Sequence, residues 1–195
     1  MSYADLCTYC NTLEIHVSRK LVRDKLFELT GRKIAFAVSS SLNPKDVRGM
    51  FLSVCSESTW VKQHGCDVVV LSRAIFAKTP GGNYCWDRFI TVKEMMHVFD
   101  TQAECSYTGE KFEAILNSFL INYDGSSAVV ESEIKAFWRA LGVLCPERYR
   151  LAFLDAVRSG TMTNYDAALK FRIPEQYVPF LWHDRYLEML KGVSN

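Results

Sequence analysis

The chain lacks the features that mark several specialised protein classes. It has no apolar run approaching the roughly 20 residues that a membrane-crossing helix needs, so no helical span is expected. Excess charge is missing too. The 23 Lys and Arg against 22 Asp and Glu give a net charge of +1, leaving no global field to gather nucleic acid or an anionic membrane surface. The opening residues MSYADLCTYC have no basic segment followed by an apolar one, so no secretory signal is expected. The cysteines number seven and are scattered. This suits reduced thiols in a cytoplasmic protein better than a disulfide framework. No internal repeat, low-complexity tract or linker interrupts the chain.

What is present is core material. Hydrophobic residues make up 49% and aromatics 13% of 195 residues, enough for one domain over residues 1–195. The helical part from about 145 is a candidate subdomain. Ala4 to Leu29 reads as helix, with Leu21, Val22, Leu26 and Leu29 at helical spacing and Gly31 as the stop. Ser18 is placed to cap a second helix, so one helix or two are both open. Three strand-like runs follow: Lys33–Ser39, Met50–Cys55 and Asp67–Ser72. The connections hold no crossover-length helix, which predicts a sheet that is antiparallel at least in part. The KTPGGNY stretch is a loop by composition; it is too short, and lacks the following Lys-Ser/Thr, to cradle phosphate.

The stretch that carries chemistry is Asp87–Cys105, DRFITVKEMMHVFDTQAEC, read as an amphipathic helix with Asp87 as its cap. Beyond it the chain reads as all helix: Glu110–Leu120, Ala128–Leu141, Cys145-Pro146 through Arg158, Thr163–Phe171, and Pro174–Leu190. Lys93, Glu94 and His97 fall on the spacing of H-E-x-x-H with lysine in the first histidine's place. In that motif both histidines project from one helix face onto a zinc ion, and the glutamate serves as general base on the bound water. The plainer reading is a Thr91–Glu94 capping box and an ordinary half-buried histidine.

The surrounding residues resemble a known family. Arg88-Phe89-Ile90-Thr91-Val92-Lys93-Glu94-Met95-Met96-His97 resembles the R-F-T-x-A-H-E-x-G-H stretch of the ImmA/IrrE family of zincin-like metallopeptidases. Downstream, Glu131, Ile134, Phe137, Leu141 and Pro146 follow the family's E-x-x-A-x-x-F-A helix, whose first glutamate is the third metal ligand. Tyr165 to Pro174 is similar to the family's C-terminal helical pair. The resemblance implies an α+β zincin-like minimal domain, a small three-stranded sheet packed on the active-site-type helix and followed by an all-helical C-terminal half. It assigns Glu94 to the general-base position and His97 and Glu131 to metal-ligand positions, with Glu133 as the nearby competitor of Glu131.

The departures decide the expected function. Lys93 replaces a ligand, Met96 replaces a small residue, and Ile134 and Trp138 stand where small residues are usual. A protonated lysine has three donors and no lone pair for a metal. The expectation is therefore a catalytically degenerate metallopeptidase relative without cofactor, acting as a regulatory module that binds a protein, such as a transcriptional regulator, at the remnant site. Two alternatives stand beside it: an active zinc metallopeptidase cleaving a regulatory protein, and a DNA-binding regulator using the C-terminal helices. The last finds little support, because Thr163–Leu190 supplies few of the Lys and Arg that phosphate contacts need. Cys7-x-x-Cys10 has no second pair at zinc-ribbon spacing, so two small helix residues are expected there. The aromatic stretch Tyr177, Phe180, Trp182 and Tyr186 is expected in the core.

Overall fold

The computed structural model of the chain describes residues 2–76, 84–101, 104 and 128–194. The N-terminal helical stretch is two helices, α1 (Tyr3–Thr12) and α2 (Arg19–Thr30). Ser18 separates them, its hydroxyl accepting from the Leu21 N–H at 3.2 Å, an N-cap that satisfies an otherwise orphan donor. Gly31 ends α2 with φ 69°, the left-handed conformation that costs glycine least.

The sheet contains β1 (Ile34–Ser39), β2 (Gly49–Leu52) and β3 (Asp67–Ser72) in the order β1-β3-β2. β2 runs antiparallel to β3, with Leu52 opposite Val68, whereas β1 runs parallel to it, with Ile34 opposite Asp67. The sheet is therefore mixed. The parallel pair needs a crossover, and it includes a short helix, α3 (Thr59–His64), that the sequence reading does not contain. Six residues are too few to show helical periodicity; Ser58 caps them and Gly65 at φ 64° stops them. β2 stops before Cys55 because Ser53–Ser56 closes a turn, Ser56 N–H to Ser53 C=O at 2.8 Å.

β3 is buried along its whole length, as a central strand covered on both faces must be. Val68 and Val70 pack with Ala37, Leu52 and Val61 in a small cluster on the α3 side, and Val69 and Leu71 belong to the main core. Asp67, at the start of β3, is held by both ends of the Arg32 guanidinium (2.7 and 2.8 Å) and by the Val54 N–H at 2.7 Å.

The central helix α4 spans Tyr84–Met95 and tightens into a 3-10 turn, Met96–Phe99. It begins and ends earlier than Asp87–Cys105. Asp87 consequently lies in its first turn and pairs with Arg19 at 2.5 Å instead of capping it, and Thr91 donates to the Asp87 carbonyl at 2.6 Å as a mid-helix residue rather than forming a capping box. Cys105, the expected helix Glu110–Leu120 and the Gly81-Gly82 loop fall outside the described residues.

The second half is helical: α5 (Ala128–Leu144), α6 (Glu147–Arg158) and α7 (Asn164–Phe171), the last capped by Thr163 with Asp166 in a reciprocal box. The single helix expected over Pro174–Leu190 is divided into a 3-10 turn (Glu175–Tyr177), α8 (Val178–Leu181) and α9 (Tyr186–Gly192). Pro179 sits in the first turn of α8, where its missing N–H removes no bond, and the chain turns again at His183. A continuous second helix for a helix-turn-helix is thus not formed. Phe137 of α5 meets Phe89 of α4 and Tyr177 edge-on at 5.7 and 5.2 Å, and Tyr177 and Tyr186 are fully buried. Arg88, also buried, donates to the carbonyls of Val17 (2.6 Å), Phe171 (2.5 Å) and Arg172 (3.1 Å), tying α4 to both ends of the chain.

Candidate functional site

α4 places Lys93 and Glu94 side by side, and the 3-10 turn brings His97 back over the same face. Opposite them stands α5. All three side chains are almost wholly buried, at 3% exposure for Lys93, 3% for Glu94 and 7% for His97. Such burial of charge is tolerated only with close partners. The Lys93 ammonium lies 3.0 Å from Glu94 Oε1 and hydrogen-bonds Glu133 Oε2. Burial alone would depress the Lys93 pKa, but the Glu133 and Glu94 carboxylates outweigh it and hold the pKa above the ordinary lysine value. Burial correspondingly raises Glu133, and Lys93 and His97 overcome this to leave its pKa below the usual carboxylate value.

The carboxylate that α5 delivers to the cluster is therefore that of Glu133, not of Glu131, the position expected from the resemblance. Glu131 lies in the first turn of α5, half-buried. Two residues apart on a helix point about 200° apart, so a helix that aims Glu133 inward cannot aim Glu131 at the same point.

His97 is fixed from its other side. Nδ1 is 2.6 Å from Asp100 Oδ2 and 3.0 Å from Ser132 Oγ, and the Ser132 hydroxyl donates to Asp100 at 2.5 Å. Arg139 of α5 completes this flank, with its guanidinium 3.3 Å from Asp100 Oδ1 and donating to the Val193 carbonyl at 3.0 Å. Nδ1 acts as the donor to the carboxylate, which aims Nε2 at the Lys93 side. There Nε2 is 3.5 Å from Glu133 Oε1 and 3.8 Å from Glu94 Oε2, in ion-pair range but without a hydrogen bond. Burial lowers the His97 pKa, and Glu133 and the Asp100 bond more than reverse this, so the imidazole gains a proton more readily than a free one. Phe51 of β2 stacks on the ring at 6.3 Å. Gly49 packs so tightly that an added Cβ would meet Ile90 Cγ2 at 2.7 Å and Glu94 Cγ at 3.0 Å. β2 thus closes the cluster from above.

These residues do not fit a zinc ion. Two carboxylates that could ligate a cation are already drawn onto an ammonium, which would repel a second cation at the same point. Among the described residues, no three His, Cys, Asp or Glu side chains form a metal-holding group. In α1, Cys10 is fully buried and burial pushes its pKa up to about 12, and Cys7 is half-buried beside it.

Asp100, Ser132 and Arg139 are absent from the sequence reading. Asp100, three residues after His97, could have been found from helical i, i+3 spacing. Ser132 and Arg139 lie 35 and 42 residues further along the chain than His97, where spacing carries no signal. Comparison with family models, curated proteins and solved structures gives no match to the chain.

Proposed function

We propose that this protein is a catalytically degenerate relative of the zincin-like metallopeptidases, of ImmA/IrrE type, and works as a regulatory module that binds another protein at the place of the former active site. The observation that carries this reading is the Lys93 ammonium, buried between Glu94 and Glu133 and next to His97 Nε2. An ammonium there supplies the positive charge that would otherwise come from a metal, and it joins α4 to α5. It supplies no Lewis acidity and no bound water to activate. The Asp100–His97 pair supports the same ancestry, because histidines that ligate metals commonly give their other ring N–H to a carboxylate.

With the charged side chains closed off, recognition falls to what remains accessible around them. That is the Glu133 rim, whose side chain keeps 22% exposure, and the β2 strand lying over α4. A regulator of gene expression is the partner class that the resemblance implies.

The test is zinc stoichiometry on dialysed protein, with and without added Zn²⁺, for the natural chain and for Lys93→His. The natural chain is expected to hold essentially no zinc. Lys93→His replaces the ammonium by a ligand beside His97 and Glu133, and should gain zinc-dependent stabilisation of about 2.7 kcal/mol when zinc is at 100 times its Kd. One tightly held zinc per natural chain, lost in His97→Ala, would overturn the reading.

A further inference from the structure

β1 and β3 run parallel and in register, so their last residues, Ser39 and Ser72, lie side by side at one end of the sheet. The segments that leave these two strands border an open groove of about 620 Å³. Residues 40–44 form one wall, and Ser72 with the 3-10 turn Arg73–Phe76 forms the other. Ser72 ties the walls together. Its N–H donates to the Arg48 carbonyl at 2.9 Å, and its hydroxyl donates to the Leu42 carbonyl at 2.7 Å. A crevice beyond the carboxyl ends of parallel strands is where open parallel sheets hold their ligands. Its size lies within the roughly 300–1,000 Å³ common for small-molecule sites.

The chemistry of the walls is one-sided. Arg73 is the charged residue that borders the groove, and no carboxylate borders it. Among the described residues the Arg73 guanidinium has no hydrogen bond and no ion pair. Lys45 and Asp46, just beyond Pro44, carry opposite charges, and Asp46 accepts from Asn43 Nδ2 at 2.8 Å, so Arg73 sets the sign of the groove. The Ser40 and Ser41 hydroxyls are likewise without a partner among the described residues. Phe76 adds an aromatic ring that is 40% exposed. A free guanidinium and free hydroxyls suit an oxyanion, and an uncovered ring suits a flat apolar body attached to it.

We propose that this groove binds a small aromatic oxyanion, a carboxylate or a phosphate monoester. The anionic group would sit against Arg73 and the Ser40 and Ser41 hydroxyls, and the ring against Phe76. An arginine fork takes carboxylate and phosphate oxygens alike, so the two sources share one chemistry here. The groove has no residue in common with the Lys93 cluster, so it stands or falls apart from the function proposed above.

The test titrates the intact, isotope-labelled chain with benzoate, phenyl phosphate, benzyl alcohol and inorganic phosphate, and reads amide chemical shifts. At least one of the two aromatic anions is expected to shift residues 40–43 and 72–76 saturably. It should bind about tenfold or more tighter than benzyl alcohol, which lacks the charge, and than inorganic phosphate, which lacks the ring. Preference for benzoate would identify the ligand as a carboxylate, and preference for phenyl phosphate as a phosphate ester. Arg73→Gln and Phe76→Ser should each weaken binding about tenfold, with the shifts of the remaining residues showing the fold retained. Lys45→Gln removes an equal charge outside the groove and should change binding by less than about twofold. Equal binding of benzyl alcohol or of inorganic phosphate would overturn the proposal. So would shifts centred elsewhere, equal losses in Lys45→Gln and Arg73→Gln, or no saturation with any probe.

Discussion

Replacing Lys93 by methionine tests whether an ammonium has become part of the framework. Methionine keeps most of the stem volume and removes only the charge. The loss leaves Glu94, with a side chain 4% exposed, without its 3.0 Å partner, and leaves Glu133 facing His97 alone. Removing one member of a buried ion pair costs about 3–5 kcal/mol, because the remaining charge stays buried. The 22% exposure of Glu133 lets water relieve part of this, so a loss of about 3 kcal/mol is expected at pH 7. Urea unfolding followed by fluorescence and circular dichroism measures it. Glu133→Gln and the double variant complete a mutant cycle, with an expected coupling of at least about 1 kcal/mol.

The pH dependence of this loss has a defined sign. Glu133 has a folded pKa below its unfolded one, so its contribution is complete above the ordinary glutamate value of about 4.3 and is lost as pH falls through the folded value. Lys93 has a raised folded pKa, so its contribution is complete below about 10.4 and is lost only as pH rises through the folded value. The Lys93→Met penalty should therefore be largest where His97 is neutral, shrink as pH falls and His97, freed of the Lys93 charge that lowers its pKa, protonates beside Glu133, and shrink further in acid, where Glu133 takes up a proton. A loss under about 1 kcal/mol at pH 7, with coupling near zero, would refute the view that lysine bridges α4 and α5.

Two further outcomes follow from the same geometry. His97 has a raised folded pKa, so its stabilisation is complete below about 6.5 and is lost as pH rises through the folded value; the stability gap between the natural chain and His97→Gln, by denaturant unfolding, should narrow from pH 6 toward pH 9. Gly49→Ala forces a methyl to within 2.7 Å of Ile90 Cγ2 and should cost about 1–3 kcal/mol in the same assay.

The strands and most helix boundaries were legible because they rest on local chemistry. Ser18, Gly31 and Thr163 act through their immediate neighbours, and each does in the fold what its residue type dictates. α3 was not legible, since its Thr59–His64 span is too short for periodicity to develop. Of the C-terminal aromatic stretch, Tyr177 and Tyr186 are in the core as expected and Phe180 and Trp182 pack against it partly buried, while its continuity was misjudged, because Pro179 can open a helix as easily as it can interrupt one.

The ionic cluster divides in the same way. Sequence by itself determined that Lys93, Glu94 and His97 would share one helical region and one side of it, since helical spacing is a property of the backbone. Only the tertiary structure decided which α5 carboxylate would meet them. Glu131 and Glu133 are chemically alike and two positions apart, and the rotation of α5 about its axis, set by packing around Ile134, Phe137 and Leu141, turns Glu133 inward. The same packing brings in Ser132 and Arg139, whose partnership with His97 and Asp100 spans tens of residues. Local spacing can place a charge on a face, but what neutralises a buried charge is chosen by whichever distant side chain the core delivers to it.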